Sequence, residues 1–300
     1  MSVIPDTTLV ICTRERPRLV AETIQSIVSG TALPSEIMVI DQSSQRNDAL
    51  SAMARSQDCR IRYIHAAGRG VCWARNRGVS ESRGKIVAFT DDDVLASDGW
   101  FEALVRPLVE GDRRAVITGP LLPAAPEVPG GFQLALRNGA QPEVFTRPGP
   151  RDVLVSANMA IPRRVLEEVG PFDLRLGPGT PYPAAEENDY GLRLLRHGCT
   201  IHYTPEAHLY HRLWREPREY LALRWRYGLG QGGFYGKWLL TGDAYPRRRL
   251  LIQLSHYAVR LPWRLVREPR RAAGDAVFVA GLLYGTGRWL TRRPELGQDT

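Results

Sequence analysis

Cysteine is scarce. The four present (Cys12, Cys59, Cys72 and Cys199) never take CxxC spacing. That excludes a disulfide framework and a zinc site, and it suits a reducing cytosol. Long apolar runs are also missing: none reaches the roughly 18 residues that a spanning helix needs. No secretory leader is read, because a strand-like apolar run starts almost at once and an Arg-rich stretch follows it. The expectation is a cytoplasmic chain. No repeat with a period of about 20 to 50 residues is present, and no HExxH occurs. A GxGxxG does occur at Gly228–Gly233. It lacks the preceding strand and the later acid of a dinucleotide site, so it reads as a flexible hinge between helices.

The chain that remains has 300 residues and is 43% hydrophobic, enough to bury a core. Its net charge of +8 is uneven. Residues 211–300 hold 17 Arg or Lys against 7 Asp or Glu, while the preceding 210 residues hold 23 against 25. The basicity therefore belongs to the tail. There Trp225, Trp238, Trp263 and Trp289 are interleaved with Arg and apolar residues at helical spacing. That composition suits either the surface of an anionic membrane or packing on the rest of the chain or on a second copy, as a homodimer. No recognised motif accompanies the charge, so nucleic acid is not expected as a partner.

Short β-branched apolar runs read as strands at Thr7–Thr13, at "EIMVIDQSS", at "RIRYIHA", at "KIVAFTDDDV" and at "AVITGPL". Helical periods separate several of them: "RPRLVAETIQSIVSG", a short helix after "GRG", and "SDGWFEALVRPLVEG" with Ser97 or Asp98 as its cap. This alternation predicts a mostly parallel sheet with helices on both faces. Residues 121–150 are rich in Pro and Gly and read as a loop or flap. "PYPAAEENDYGLRLLRHG" reads as a helix with an acidic first turn, and "TIHYTPEAHLYHR" as strand. Asp189 stands four residues before Arg193, the spacing of a helix-face ion pair.

Two strands end in acids. One ends at Asp41 and the other at Asp91, Asp92 and Asp93. In open α/β sheets, ligands bind beyond the carboxyl ends of strands. Adjacent carboxylates there suit a hard cation such as Mg²⁺ or Mn²⁺, which relieves their repulsion and bridges phosphates. A solvated acidic turn is the plainer alternative.

"VICTRERPRLVAETIQSI", "EIMVIDQSS", "GVCWARNRGVSESRGKIVAFTDDDV", "SANMAIPRRVLEEVGPFD" and "EENDYGLRLLRHG" occur in this order. Together they resemble glycosyltransferase family 2, inverting nucleotide-sugar transferases with the GT-A fold. The resemblance implies an α/β catalytic domain over residues 1–212 with a mostly parallel sheet flanked by helices. Residues 213–300 are then a basic helical extension. It also implies a nucleoside-diphosphate sugar donor. Thr13, Glu15, Arg16, Asp41, Arg75 and Asn76 match positions that contact the nucleotide, Asp41 reading the base. Asp91 and Asp93 match the outer acids of a DxD that holds the metal and touches the ribose; Asp92 fills the variable position. With three acids in a row, which two bind the metal stays open. Glu187 stands where the family's base stands, and Glu186 beside it is the alternative. A histidine in this family can approach the metal, and among His202, His208 and His211 the choice falls on His211. Two other readings stand beside this one. An aspartyl-nucleophile phosphatase also has DxD after a strand, though usually the first. A membrane-bound scaffold with a decayed transferase domain is the non-catalytic reading.

Overall fold

The computed structural model describes residues 2–53, 60–111, 114–133, 138–212 and 214–291. Cys59 lies outside them. By their contacts the residues group into two units: Met1–Phe172 with Tyr190–Trp214, and Asp173–Asp189 with Arg215–Thr300. The segment 173–189 thus groups with the carboxyl-terminal helices.

In the first unit, β1 (Ser2–Thr13), α1 (Pro17–Val28), β2 (Ala32–Asp41), α2 (Asp48–Met53), β3 (Arg60–His65), α3 (Val71–Glu81) and β4 (Ile86–Asp91) alternate as the pattern predicts, except that α2 was not expected. Then come β5 (Val94–Ala96), α4 (Trp100–Glu110), β6 (Ala115–Thr118), β7 (Leu121–Pro123), β8 (Glu143–Phe145), β9 (Asn158–Pro162) and α5 (Arg163–Val169). Helix α6 (Glu186–Arg196) is followed by β10 (Thr200–Tyr203) and β11 (Leu209–His211). The main sheet runs β3-β2-β1-β4-β9-β6-β10-β8. The pairs β1·β2, β1·β4, β2·β3 and β6·β10 are parallel, whereas β9 pairs antiparallel with β4 and β6, and β8 with β10. A small second sheet orders β5-β11-β7.

Strand periodicity builds the two core layers. Leu9, Ile11, Ile37 and Val39 face one side, against α1 and α4 residues Ile24, Ile27, Trp100 and Leu104. Val10, Met38 and Ile40 face the other, with Ala74 of α3 and Leu194 and Leu195 of α6. Strands buried on both faces read as unbroken apolar runs, which is what β1 and β2 are. Each fully buried large side chain contributes about 1.5–3 kcal/mol. Helix α3 lies against β1 because Gly78 has no side chain: a Cβ there would sit 2.4 Å from Val10 Cγ1.

Three local expectations need correction. Neither Ser97 nor Asp98 caps α4; the N-cap is Gly99, and the Ser97 hydroxyl donates to the His208 carbonyl instead. The span 121–150 is not all loop, since it contributes β7 and β8 to the two sheets.

The third correction concerns the second unit, which holds a 3₁₀ turn (Pro217–Glu219), α7 (Tyr220–Leu239), α8 (Ala244–Arg267) and α9 (Pro269–Thr291). The GxGxxG run is no hinge. It lies inside α7, where Gly228, Gly230, Gly232 and Gly233 are buried. A Cβ on Gly228 would stand 2.2 Å from the Phe278 carbonyl oxygen of α9, so glycine is what lets the two helices approach.

Candidate active site

The parallel register brings the expected residues to one edge. Thr13 pairs with Asp41 across β1·β2, and Cys12 pairs with Asp91 across β1·β4. The carboxyl ends of three neighbouring strands therefore present Thr13, Asp41 and Asp91 together. Register also delivers His211: β11 pairs antiparallel with β5 so that His211 faces Val94, the residue after Asp93.

The repulsion among the three acids is answered from elsewhere in the chain. Arg16, just before α1, places Nη1 3.1 Å from Asp92 Oδ1 and 3.0 Å from Asp93 Oδ2. Thr13 Oγ1 donates to Asp92 Oδ2 at 2.6 Å. The buried Arg75 donates to Asp91 Oδ1 at 3.3 Å and lies over the Phe172 ring. His211 Nε2 is 3.4 Å from Asp93 Oδ1. Asp92 and Asp93 are buried, while Asp91 is partly open. Burial pushes the Asp92 carboxyl up to about 6, with Asp93 adding to it and Arg16 and Thr13 opposing. For His211 burial works against protonation, but the hydrogen bond and charge of Asp93 outweigh it and raise the imidazole above its ordinary value.

Beside these acids lies a cleft of about 300 Å³ lined by Thr13, Glu15, Asp41, Ser43, Arg46 and Asn47, among others. Asp41 is buried and hydrogen-bonded at both oxygens: Tyr63 OH donates to Oδ2 at 2.6 Å, and the Ser43 backbone N–H donates to Oδ1 at 2.8 Å. Burial first, then that bond to Asp41, pushes the Tyr63 phenol up to about 12. Glu15, at φ 56°, accepts from the Ser44 backbone N–H at 2.6 Å while its own N–H donates to Ser43 Oγ. Asp41 and Glu15 thus shape the loop that walls the cleft. Tyr63, Ser43, Arg46 and Asn47 escaped the sequence reading. Only the alternation of β3, which sets Tyr63 beside Val39 across β2·β3, hinted at the first.

Asn76, which matches a nucleotide-contacting position, binds the Phe172 backbone through its amide. Nδ2 donates to the Phe172 carbonyl at 2.9 Å, and Oδ1 accepts from the Phe172 N–H at 2.8 Å. Through Phe172 it sets the ring beneath Arg75.

Glu186 and Glu187 open α6 and belong to the second unit. Glu186 is buried and Glu187 half-buried. Acids at this end suit the helix dipole. The residue before them, Ala185, sits at φ 70°, a strained value for a residue with a side chain. Burial and the charges of Glu187 and Glu186 raise the Tyr227 phenol of α7 above its ordinary value. Asp189, one turn on, accepts from Trp238 Nε1 at 2.9 Å and pairs with Lys237 Nζ at 2.7 Å. Lys237 also pairs with Asp173 at 2.8 Å. Arg193 donates to the carbonyls of Pro171 and Val169.

Among the described residues, no group of three or more His, Cys, Asp or Glu side chains is gathered for a metal ion. The donor set nevertheless fits a cation that takes most of its ligands from substrate. Asp93 and His211 converge, and His211 Nδ1 is buried without a hydrogen-bond partner. Magnesium-like ions need only one or two carboxylates when phosphates complete the shell.

A sequence profile described as "Glycosyl transferase family 2" matches residues 8–170. The chain belongs to that family. As a family 2 glycosyltransferase it resembles the glucosyl-dolichyl phosphate glucuronosyltransferase of Haloferax volcanii, 26% identical over 224 residues, 71% of each chain. The uncharacterized glycosyltransferase EpsJ of Bacillus subtilis is 32% identical over 88 residues, 29% of this chain and 26% of EpsJ. Among solved structures, the mannosyltransferase PcManGT of Pyrobaculum calidifontis, in complex with GDP-Man and Mn²⁺, superposes with a TM-score of 0.62 at 16% identity. The match covers 94% of this chain and 87% of that one. GalNAc-T7 with UDP, GalNAc and Mn²⁺ gives a TM-score of 0.55 at 15% identity, covering 70% of this chain and 44% of the other. These neighbours establish the GT-A fold. The family 2 glycosyltransferase match also removes the phosphatase reading.

Proposed function

We propose that this family 2 glycosyltransferase moves a sugar from a nucleoside-diphosphate donor to an acceptor hydroxyl with inversion, assisted by Mg²⁺ or Mn²⁺. The supporting observation is the single edge that carries Thr13, Asp41 and Asp91 together with Asp93 and His211. In this reading the cleft walled by Asp41 and Glu15 receives the nucleoside. Asp91, the most open of the three acids, faces the ribose. Asp93 and His211 would hold the cation, which would neutralise charge on the departing diphosphate. Asp92 keeps Arg16 and Thr13 in place, and Arg75 orients Asp91.

Inversion is one in-line displacement. The acceptor oxygen bonds to the anomeric carbon as the bond to the diphosphate oxygen breaks. The acceptor proton passes to a carboxylate on the opposite side. Glu187 takes this role, with Glu186 as the alternative. The acceptor class is a hydroxyl on a glycan, a lipid-linked sugar or a small molecule.

The test is a thermal-shift panel of nucleoside diphosphates and nucleotide sugars, with and without Mn²⁺ or Mg²⁺, on the wild type and Asp93→Ala. A ligand that binds the native state raises its melting point. The expected result is a metal-dependent rise with one nucleotide, lost in Asp93→Ala, and release of that nucleoside diphosphate when acceptor is added. No rise with any nucleotide on folded protein would overturn the donor site. A rise without turnover across acceptors would favour the scaffold reading.

A further inference from the structure

A surface helix ordinarily carries one apolar stripe and turns it to the core. Helix α8 carries two. Its inward side is occupied: Tyr257 stacks near Phe278 of α9, Gln253 accepts a hydrogen bond from Tyr235 of α7, and Arg264 pairs with Asp275. Its opposite side presents Ile252, Val259, Trp263 and Val266, at positions i, i+7, i+11 and i+14, and these are 39%, 79%, 58% and 81% exposed. That spacing keeps all four on one line along a helix about 36 Å long. Exposed Arg248, Arg260 and Arg267 border the line. Helix α8 contains no acidic residue, and α7 to α9 together hold twelve Arg or Lys against three Asp or Glu between residues 220 and 291.

We propose that this outer face of α8 docks the protein on an anionic lipid bilayer, with the helix lying in the headgroup plane. The charge pattern selects the occupant. A second copy placed on the same stripe would bring arginine against arginine with no acid on either helix to relieve it. An anionic bilayer satisfies both features, since acyl chains take Val259, Trp263 and Val266 while headgroup phosphates meet the bordering guanidiniums. No described helix is long and apolar enough to cross a membrane, so the contact is peripheral. The surface stands apart from the transfer reading, because lipid binding needs neither donor nor cation.

The test is co-sedimentation of the full chain, without nucleotide, on vesicles of phosphatidylcholine alone or mixed with phosphatidylglycerol. Binding is expected on the mixed vesicles only, and it should weaken as salt rises. Replacing Val259, Trp263 and Val266 together by Ser should weaken it by about tenfold or more. Each of Arg248→Gln, Arg260→Gln and Arg267→Gln should weaken it by about fivefold. All six positions are exposed, and unchanged circular dichroism and melting would confirm that the variants fold. Absence of binding to mixed vesicles overturns the proposal, as does equal binding by the triple Ser variant. Light scattering that shows a lipid-free dimer, dissolved by the triple Ser variant and indifferent to vesicles, overturns it in favour of a second copy.

Discussion

At the strand ends, Asp91, Asp92 and Asp93 meet the guanidiniums of Arg16 and Arg75 and the imidazole of His211. Among the carboxyl-terminal helices, Asp173 and Asp189 meet Lys237, and Asp173 also takes a two-pronged pair from Arg175. Both clusters bury carboxylates, but their charge balance differs. In the first, acids outnumber arginines and the Asp92 carboxyl is pushed up to about 6 by burial and by Asp93. In the second, burial also pushes Asp173 up, yet the bonds from Arg175 and Lys237 overcome it and hold the carboxyl well below the usual range. A cluster whose acids outnumber its arginines, with a histidine as the remaining partner, has room for a cation. A cluster whose charges match holds structure together. Around the matched one, Tyr182 packs on Trp289 and Arg175 lies 4.3 Å from the Trp289 ring centroid, so segment 173–189 is tied to α7 and α9.

The largest effect should separate the two clusters outright. Asp93→Ala should lower kcat/KM for sugar transfer by about 10²- to 10³-fold while the chain stays folded, read from initial rates and circular dichroism. Lys237→Met should do the reverse. It leaves the half-buried Asp173 and the buried Asp189 without their shared cation, and a urea titration should show a loss of about 3–5 kcal/mol. If Lys237→Met melted like the wild type, the second cluster would not be structural.

A middle-sized effect probes the link into the first cluster. Asn76→Ala breaks both bonds to the Phe172 backbone, a cost of about 1–3 kcal/mol in denaturant. It should reach activity only through the Phe172 ring under Arg75, so the loss of rate should be far below that of Asp93→Ala. An equal loss would return Asn76 to direct substrate contact.

The smallest effect is acidic. The folded-state pKa of Asp173 lies below its unfolded value of about 3.9, so its stabilisation is complete above about pH 4. It is lost as pH falls through that value toward the folded pKa. Urea midpoints taken down through this window should fall less steeply in Asp173→Asn than in the wild type. Equal slopes would show that Asp173 is not held down.

Much of this was legible in the sequence. Short β-branched apolar runs predicted β1 to β4, and helical spacing predicted α1 and α3, since period and strand length are local properties; α2, only six residues long, gave no period to read. Asp41 and Asp91 could be placed at strand ends for the same reason, and parallel register then carried them to one edge. The family profile agrees with the ordered motifs. What stayed hidden was pairing across distance. Arg16 answers Asp92 and Asp93 from 76 and 77 residues away, and Lys237 reaches Asp189 across 48. Nothing in the run of three acids names the cation that will neutralise it. The glycines of α7 misled for a related reason. Gly-rich spacing signals freedom when read alone, whereas Gly228 serves a close helix crossing that exists only once Phe278 of α9 arrives. The sequence by itself determined the first four strands, the acids at their ends and the family, because those follow from local periodicity and ordered motifs. Tertiary structure alone decided which cation each carboxylate meets, because electrostatic pairing depends on distance in space and not along the chain.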